Sequence, residues 1–214
     1  MSRGWRLAVA VLGGYVLGSV PTGLWAGRLA AGVDVRRYGS RATGAANVLR
    51  TAGCPAGLVT LVGDGAKGHL AVRLAQAVGA GPWGAAVAAA AATVGHSWPV
   101  WADFCGGKSV MTTVGALSAI DRTAATVATA SAVAMVAVTR RTSVGSLTGA
   151  GAAAACALWP RSRMSPAARA YTLFGAGFLV LRHRENLGRL VRGTEPRLGE
   201  RAPGVPAAPA GGGR

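Results

Sequence analysis

Four polar clusters interrupt an otherwise apolar chain. The first runs from Asp34 to Arg50, DVRRYGSRATGAANVLR. Its arginines alternate with Gly, Ser, Thr and Asn. Small residues of this kind let backbone N–H groups close around an anion, while hydroxyls and guanidinium groups add donors. A basic loop beside a membrane helix would account for the arginines but not for the residues between them, so phosphate binding is the better reading. The second cluster is Asp64-Gly65-Ala66-Lys67-Gly68. Asp64 and Lys67 are three apart, on one helix face, and can neutralise each other, either as a structural ion pair or as part of a site. An unpaired charge at mid-bilayer costs about 2.5–3.5 kcal/mol. His69, five residues from Asp64, falls on a different face and reads as a packing histidine.

The third cluster extends from Gly95 to Ser109 and contains His96. Gly106-Gly107-Lys108-Ser109 is like the tail of a phosphate loop. The glycine that should precede it is missing, and an apolar helix stands where a nucleotide-binding loop has a strand. Gly106 and Gly107 can still expose backbone donors ahead of a helix, with Lys108 as a cation. Trp98 and Trp101 suit an interfacial aromatic belt. The fourth cluster runs from Arg182 to Glu195. On a helix, His183, Asn186, Leu187 and Leu190 share a face. A basic amphipathic helix lying on anionic lipid explains the arginines but leaves His183 and Asn186 on the face that should be buried.

The elements that must hold these clusters are membrane spans. Of 214 residues, 51% are hydrophobic and 14% charged, against about 25% charged in a soluble domain. The 23 Lys+Arg and 7 Asp+Glu give a net charge of +16. Nucleic-acid binding would need a folded basic surface, and here long uncharged runs separate the basic clusters. Cys54, Cys105 and Cys156 are too few and scattered for a disulfide framework or a zinc site, so no metal is expected. Charge-poor windows at 7–26, 58–78, 82–102, 109–120, 123–139, 142–160 and 166–181 predict an all-α, polytopic integral membrane protein of about seven transmembrane helices, some short or broken. The first window is long for a signal peptide, and Gly18-Ser19-Val20-Pro21 interrupts it. With the N-terminus outside and the C-terminus cytoplasmic, 15 basic residues fall inside and 6 outside, as positively charged inner loops require. Residues 1–200 form one domain. Residues 201–214, rich in Pro, Ala and Gly, are expected to be a disordered tail.

Taken in order, the clusters resemble the PlsY family, acyl-phosphate:glycerol-3-phosphate acyltransferases of bacterial membranes. The similarity runs from Gly18 to about Arg197. Its carriers are Gly18-Ser19-Val20-Pro21; Gly39, Ser40, Gly44, Ala45, Asn47 and Arg50; Asp64, Lys67 and Gly68; Gly95, His96, Trp98, Pro99, Phe104, Gly106, Gly107 and Lys108; and His183, Arg184, Asn186, Arg189, Leu190, Gly193 and Glu195. The chain departs from the family pattern at Arg41 and Ala42, where the family has Gly and Asn, at Ala46 for Thr, at Ser109 for Gly, and at Met111-Thr112 for Ala-Thr.

The resemblance implies transfer of a fatty acyl group from acyl phosphate to the 1-hydroxyl of glycerol 3-phosphate, giving lysophosphatidic acid, the first step of phospholipid synthesis. It also implies a multi-pass protein of the bacterial cell membrane, with Gly-rich cytoplasmic loops, no cofactor and an upstream enzyme that forms acyl phosphate. Ser40, Asn47, Arg50, Gly106, Gly107 and Lys108 are then expected to bind substrate phosphate, and His183, Asn186 and Lys108 to be catalytic. Asp64, Lys67, His96 and Glu195 support them. The base that takes the hydroxyl proton is either His183, oriented by Asn186, or the departing phosphate. The competing readings are an impaired paralogue and a small transporter of an anionic solute. The transporter predicts inverted symmetry between the halves of the chain, which this sequence lacks.

Overall fold

Pro21 divides the first apolar run into two helices, α1 (Arg3–Ser19) and α2 (Thr22–Ala31), because proline supplies no N–H to the ladder and its ring clashes with the preceding turn. The computed structural model of the chain describes residues 2–205. Among the described residues there are ten α-helices, two single-turn 3-10 segments and no strand. The other helices are α3 (Ala45–Ala52), α4 (Cys54–Ala77), α5 (Gly81–Ser97), α6 (Val110–Ile120), α7 (Arg122–Thr139), α8 (Thr142–Leu158), α9 (Pro166–Arg182) and α10 (Arg184–Val191). The seven expected spans fall on α1–α2, α4, α5, α6, α7, α8 and α9. The second starts earlier than expected, with Pro55 in its first turn, where a fixed φ favours helix initiation. The third ends at Ser97 rather than 102. Trp98 precedes Pro99 and leaves the helical region (φ −133°, ψ 70°), as the residue before a proline tends to.

By length and mean hydropathy, Arg3–Ala31 and Arg122–Thr139 are long and apolar enough to cross a membrane. α5, α8 and α9 have 17 residues each, about 25 Å of helix at 1.5 Å per residue. Packing is inverted relative to a water-soluble bundle. The buried apolar side chains are mostly alanines, including Ala10, Ala71, Ala75, Ala88, Ala89 and Ala92, whereas Leu12, Val59, Val62, Val133, Val138 and Leu158 point outward, each more than half exposed. Lipid solvates an outward leucine, so helices associate in a bilayer through close backbone approach rather than apolar burial. α1 and α5 illustrate this: a Cβ on Gly14 would lie 2.5 Å from the Ala88 carbonyl oxygen, and Gly18 abuts the Ala92 carbonyl one turn on. The matching four-residue steps make the two helices parallel.

The connections sort by charge. Arg36 donates to the Ala102 carbonyl and to Asp103, each at 3.0 Å. Arg182 Nη2 donates to the Gly107 carbonyl at 3.0 Å, and Arg141 Nε to the Glu195 carbonyl at 3.3 Å. These bonds gather the 32–44 loop, the 98–109 loop, the Arg140-Arg141 turn and the chain after α9 at one end of the bundle. At the other end Arg6 Nη1 donates to the Gly79 carbonyl and Gln76 Nε2 to the Ala119 carbonyl, each at 3.3 Å. The tail expected from Arg201 starts with chain that packs: Ala202 is buried and its N–H donates to the Arg50 carbonyl at 3.1 Å. The rest of that tail, residues 206–214, lies outside the described residues.

Candidate active site

Asn47, near the start of α3, shapes the first loop. Its Oδ1 accepts the Ser40 N–H at 3.0 Å, and its Nδ2 lies 2.9, 3.2 and 3.0 Å from the carbonyl oxygens of Val35, Tyr38 and Ala42. Both ends of this buried amide are committed to the loop, so Asn47, expected among the phosphate donors, holds the loop's shape instead. The fold turns Ser40 toward Arg50, with Arg50 Nη2 at 3.4 Å from the Ser40 hydroxyl. Gly39 and Arg41 both have positive φ, 58° and 57°. For a residue with a Cβ this region costs about 1–2 kcal/mol. Arg41→Gly is therefore expected to raise stability by about 1 kcal/mol, read as a higher unfolding midpoint in detergent.

In the second loop, Gly106 and Gly107 are needed for close approach rather than as free donors. A Cβ on Gly106 would meet the His96 carbonyl and lie 2.6 Å from Pro99 Cδ, and one on Gly107 would strike the His96 ring. The Gly107 N–H already donates to the His96 carbonyl at 3.1 Å. That bond takes Gly107's backbone donor out of the expected phosphate set. His96 is thus the floor of this loop.

Beyond the glycines, Lys108 reaches across to the C-terminal segment, where its Nζ donates to Asn186 Oδ1. α9 ends at Arg182, and His183, at φ −97° and ψ 8°, is the joint to α10. His183 Nδ1 faces the Leu179 carbonyl at 2.8 Å. A carbonyl only accepts, so Nδ1 carries the proton and Nε2 the lone pair. The imidazole is oriented by this backbone contact. The expected partner, Asn186, is engaged elsewhere: its Nδ2 donates to Glu195 Oε1 at 2.6 Å, and Arg189 Nε donates to Glu195 Oε2 at 2.7 Å. His183, Asn186 and Glu195 are buried, whereas Leu187 and Val191 are exposed. α10 therefore turns Asn186 inward while Leu187 and Val191 stand outward with Arg184 and Glu185.

Lys108, Asn186, Glu195 and Arg189 make one chain of hydrogen bonds. Arg50 joins them electrostatically, feeling the charges of Glu195 and Arg189. Burial lowers the Arg50 pKa. It also pushes the Lys108 ammonium down to about 8, reinforced by the Arg189 cation. Burial and the nearby Lys108 charge hold His183 down at about 4, so the ring is neutral at physiological pH. Burial alone would raise Glu195, but the bonds from Asn186 and Arg189 outweigh it and keep the carboxylate ionised. The core of the cluster is three cations around one buried carboxylate, with the charges of Glu185 and Glu200 also acting on Lys108 and Arg50.

Asp64, Lys67 and His96 lie deeper. Asp64 Oδ1 receives Thr22 Oγ1 at 2.5 Å and Lys67 Nζ at 2.9 Å, with His96 Nδ1 at 3.4 Å. Lys67 Nζ also donates to the Val20 carbonyl at 2.9 Å. The pair closes the break at Pro21. His69 Nδ1 lies 2.9 Å from Ser118 Oγ, between α4 and α6, which is a packing role.

A family profile described as glycerol-3-phosphate acyltransferase matches residues 8–193. The chain belongs to this glycerol-3-phosphate acyltransferase family. A glycerol-3-phosphate acyltransferase of Synechococcus sp. (strain JA-3-3Ab) is 43% identical over 201 residues, covering 92% of this chain and 96% of that protein. One from Rubrobacter xylanophilus is 43% identical over 194 residues, covering 91% and 96%. The crystal structure of PlsY, an integral membrane glycerol 3-phosphate acyltransferase, in its glycerol 3-phosphate form is 28% identical with a TM-score of 0.83, covering 90% of this chain and 96% of that one. Its lysophosphatidic acid form matches with a TM-score of 0.80.

Against the glycerol-3-phosphate acyltransferase pattern, the departure at Ser109 has a local remedy. Its φ is 63°, a glycine-like value, and its hydroxyl donates to the Thr93 carbonyl at 2.6 Å and pairs with Ser97 Oγ at 2.9 Å. These buried bonds offset the backbone cost. Arg182 and Arg36 were not among the expected site residues. Arg182 binds the Gly107 carbonyl and stacks on Trp98 at 5.0 Å. Arg36 ties the two loops together. Both contacts span more than sixty residues of sequence, and no local spacing announces them.

Proposed function

We propose that this protein transfers a fatty acyl group from acyl phosphate to the 1-hydroxyl of glycerol 3-phosphate at the cytoplasmic face of a bacterial cell membrane. The single observation that carries this reading is the Arg50–Lys108–Arg189 cation group around Glu195, built from three distant segments beside His183. The excess of basic residues at that end of the bundle supports a cytoplasmic site, an external N-terminus and an internal C-terminus. An upstream enzyme that forms acyl phosphate supplies the donor, and the acyl chain stays in lipid.

Ser40, Arg50 and Lys108 hold phosphate, with Gly106 and His96 shaping the loop that presents Lys108. The glycerol hydroxyl oxygen attacks the acyl carbonyl carbon, the bond from that carbon to the phosphate oxygen breaks, and inorganic phosphate leaves. Lys108 stabilises the charge that grows on the carbonyl oxygen. Two groups can take the hydroxyl proton, His183 Nε2 and the phosphate. With His183 held near 4 it is a weak base at neutral pH, whereas a phosphate second ionisation near 6 is better matched. We therefore assign His183 to orienting the hydroxyl as an acceptor and the phosphate to receiving the proton. A pH–rate profile decides between them: an acid limb near 6 is expected, and a limb near 4 that disappears in His183→Ala would make the histidine the base.

The alkaline limb belongs to Lys108. Its pKa is lowered from 10.5 to about 8, so between those values the unfolded chain holds a proton that the folded chain has lost, and stability rises with pH across that window. Activity moves the other way. The ammonium is lost above about pH 8, and kcat/KM is expected to fall there. Bound phosphate favours the charged lysine, so the same limb in kcat moves to higher pH.

The test of the function is direct. Purified protein in detergent is supplied with glycerol 3-phosphate and either palmitoyl phosphate or palmitoyl-CoA. Lysophosphatidic acid is expected from the first donor alone. Product from the CoA ester, or from neither, would overturn the proposal.

A further inference from the structure

The family profile ends at residue 193, yet the chain beyond it stays in contact with the candidate site. After Glu195 it crosses the α7–α8 turn, where the Leu198 N–H donates to the Arg140 carbonyl at 2.5 Å. It then reaches α3, where the Ala202 N–H donates to the Arg50 carbonyl at 3.1 Å. Ala202 is 6% exposed and fills the space above Gly39, whose added Cβ would approach the Ala202 methyl at 3.2 Å. Between these anchors Glu200 Oε2 accepts the Arg197 N–H at 2.9 Å and folds the segment on itself. The charge of Glu200 is felt at Arg50.

These contacts meet the first loop at its two working residues. Gly39 precedes Ser40, and the Arg50 carbonyl belongs to the residue whose guanidinium bonds Ser40. We infer that residues 197–202 form a strap that positions Arg50 and Ser40 for the water-soluble phosphate substrate, glycerol 3-phosphate. This rests on the proposed function. Acyl phosphate is anchored by its chain in lipid, and Lys108, just before α6, serves both substrates. Glycerol 3-phosphate has no chain to anchor it, so its hold depends more on Arg50 and Ser40, which the strap contacts. Ala202 and Leu198 are thus positioning residues. Ala202 is buried, and its methyl lies close above Gly39.

Full-length protein, a chain ended after Val205 and a chain ended after Pro196 are compared in detergent, with Ala202→Glu and Ala202→Ser in the full chain. For each, KM for glycerol 3-phosphate, KM for palmitoyl phosphate, kcat and the binding constant for glycerol 3-phosphate alone are measured. Ending after Val205 and Ala202→Ser are expected to behave as the full chain. Ending after Pro196 and Ala202→Glu are expected to weaken glycerol 3-phosphate about tenfold, the loss of one well-placed charge-assisted contact, with KM for palmitoyl phosphate and kcat nearly unchanged. Unchanged glycerol 3-phosphate binding in both variants would overturn the strap, as would an equal loss for both substrates, which marks a general structural defect. If the full-length protein forms no lysophosphatidic acid but binds glycerol 3-phosphate with this tenfold dependence, the proposed function fails and the strap stands. If it does not bind glycerol 3-phosphate, both fail.

Discussion

Lys108→Ala is expected to reduce lysophosphatidic acid formation by about a thousandfold while leaving the bundle folded. Removing one donor to a developing oxyanion lowers kcat by about 10²–10³, and under the proposed function the same ammonium also holds phosphate. The cost to folding is smaller. Lys108 lies in the connection before α6, and its loss leaves Asn186 Oδ1 without that donor, a penalty of about 1–3 kcal/mol. Lys108→Arg is expected to recover little, because the planar guanidinium is longer and directs its donors differently. Turnover and the unfolding midpoint in detergent, measured on the same preparation, separate the two effects. A variant that keeps more than a tenth of normal turnover would remove Lys108 from the reacting centre.

The second large effect concerns stability. Lys67→Met removes the cation beside the buried Asp64, leaving Thr22 Oγ1 at 2.5 Å and His96 Nδ1 at 3.4 Å, and strips the Val20 carbonyl of its side-chain donor at the break between α1 and α2. Breaking a buried ion pair by removing one member costs about 3–5 kcal/mol. A large fall in unfolding midpoint is therefore expected, with turnover per folded molecule much less affected. Asp64→Asn combined with Lys67→Met is expected to be milder than Lys67→Met alone, since no lone charge remains. If Lys67→Met unfolds like the parent protein yet is inactive, the pair belongs to the chemistry and not to the helix break.

Much of this arrangement was legible from the sequence. Uncharged windows marked the helices because a bilayer demands about 20 apolar residues per crossing, and the distribution of arginine grouped the four segments that the structure gathers at one end. Polarity in an apolar chain marked the clusters, and the family resemblance implied His183, Asn186 and Lys108 as catalytic with Glu195 in support. What the sequence hid was how polar groups are shared out. Asn47 looks like a donor, but whether its amide meets a phosphate or the carbonyls of Val35, Tyr38 and Ala42 depends on loop closure over twelve residues. Gly107 looks like a free backbone donor until His96, eleven residues earlier, takes that N–H. Asn186 and His183 are three apart and seemed paired, but His183 sits at a helix joint and turns to the Leu179 carbonyl. The docking of Ala202 had no signal either: in a Pro/Ala/Gly stretch, one alanine that fits above a glycine looks like its neighbours.

Under the proposed function Arg50 and Lys108, fifty-eight residues apart in the chain, grip one phosphate-bearing ligand. Equilibrium binding of glycerol 3-phosphate is measured on the parent protein, Arg50→Ala and Lys108→Ala, each first shown to be folded by a cooperative unfolding transition above the assay temperature. Both variants are predicted to bind at least about tenfold more weakly. Parent-like binding in either folded variant would show that the two cations do not share a ligand.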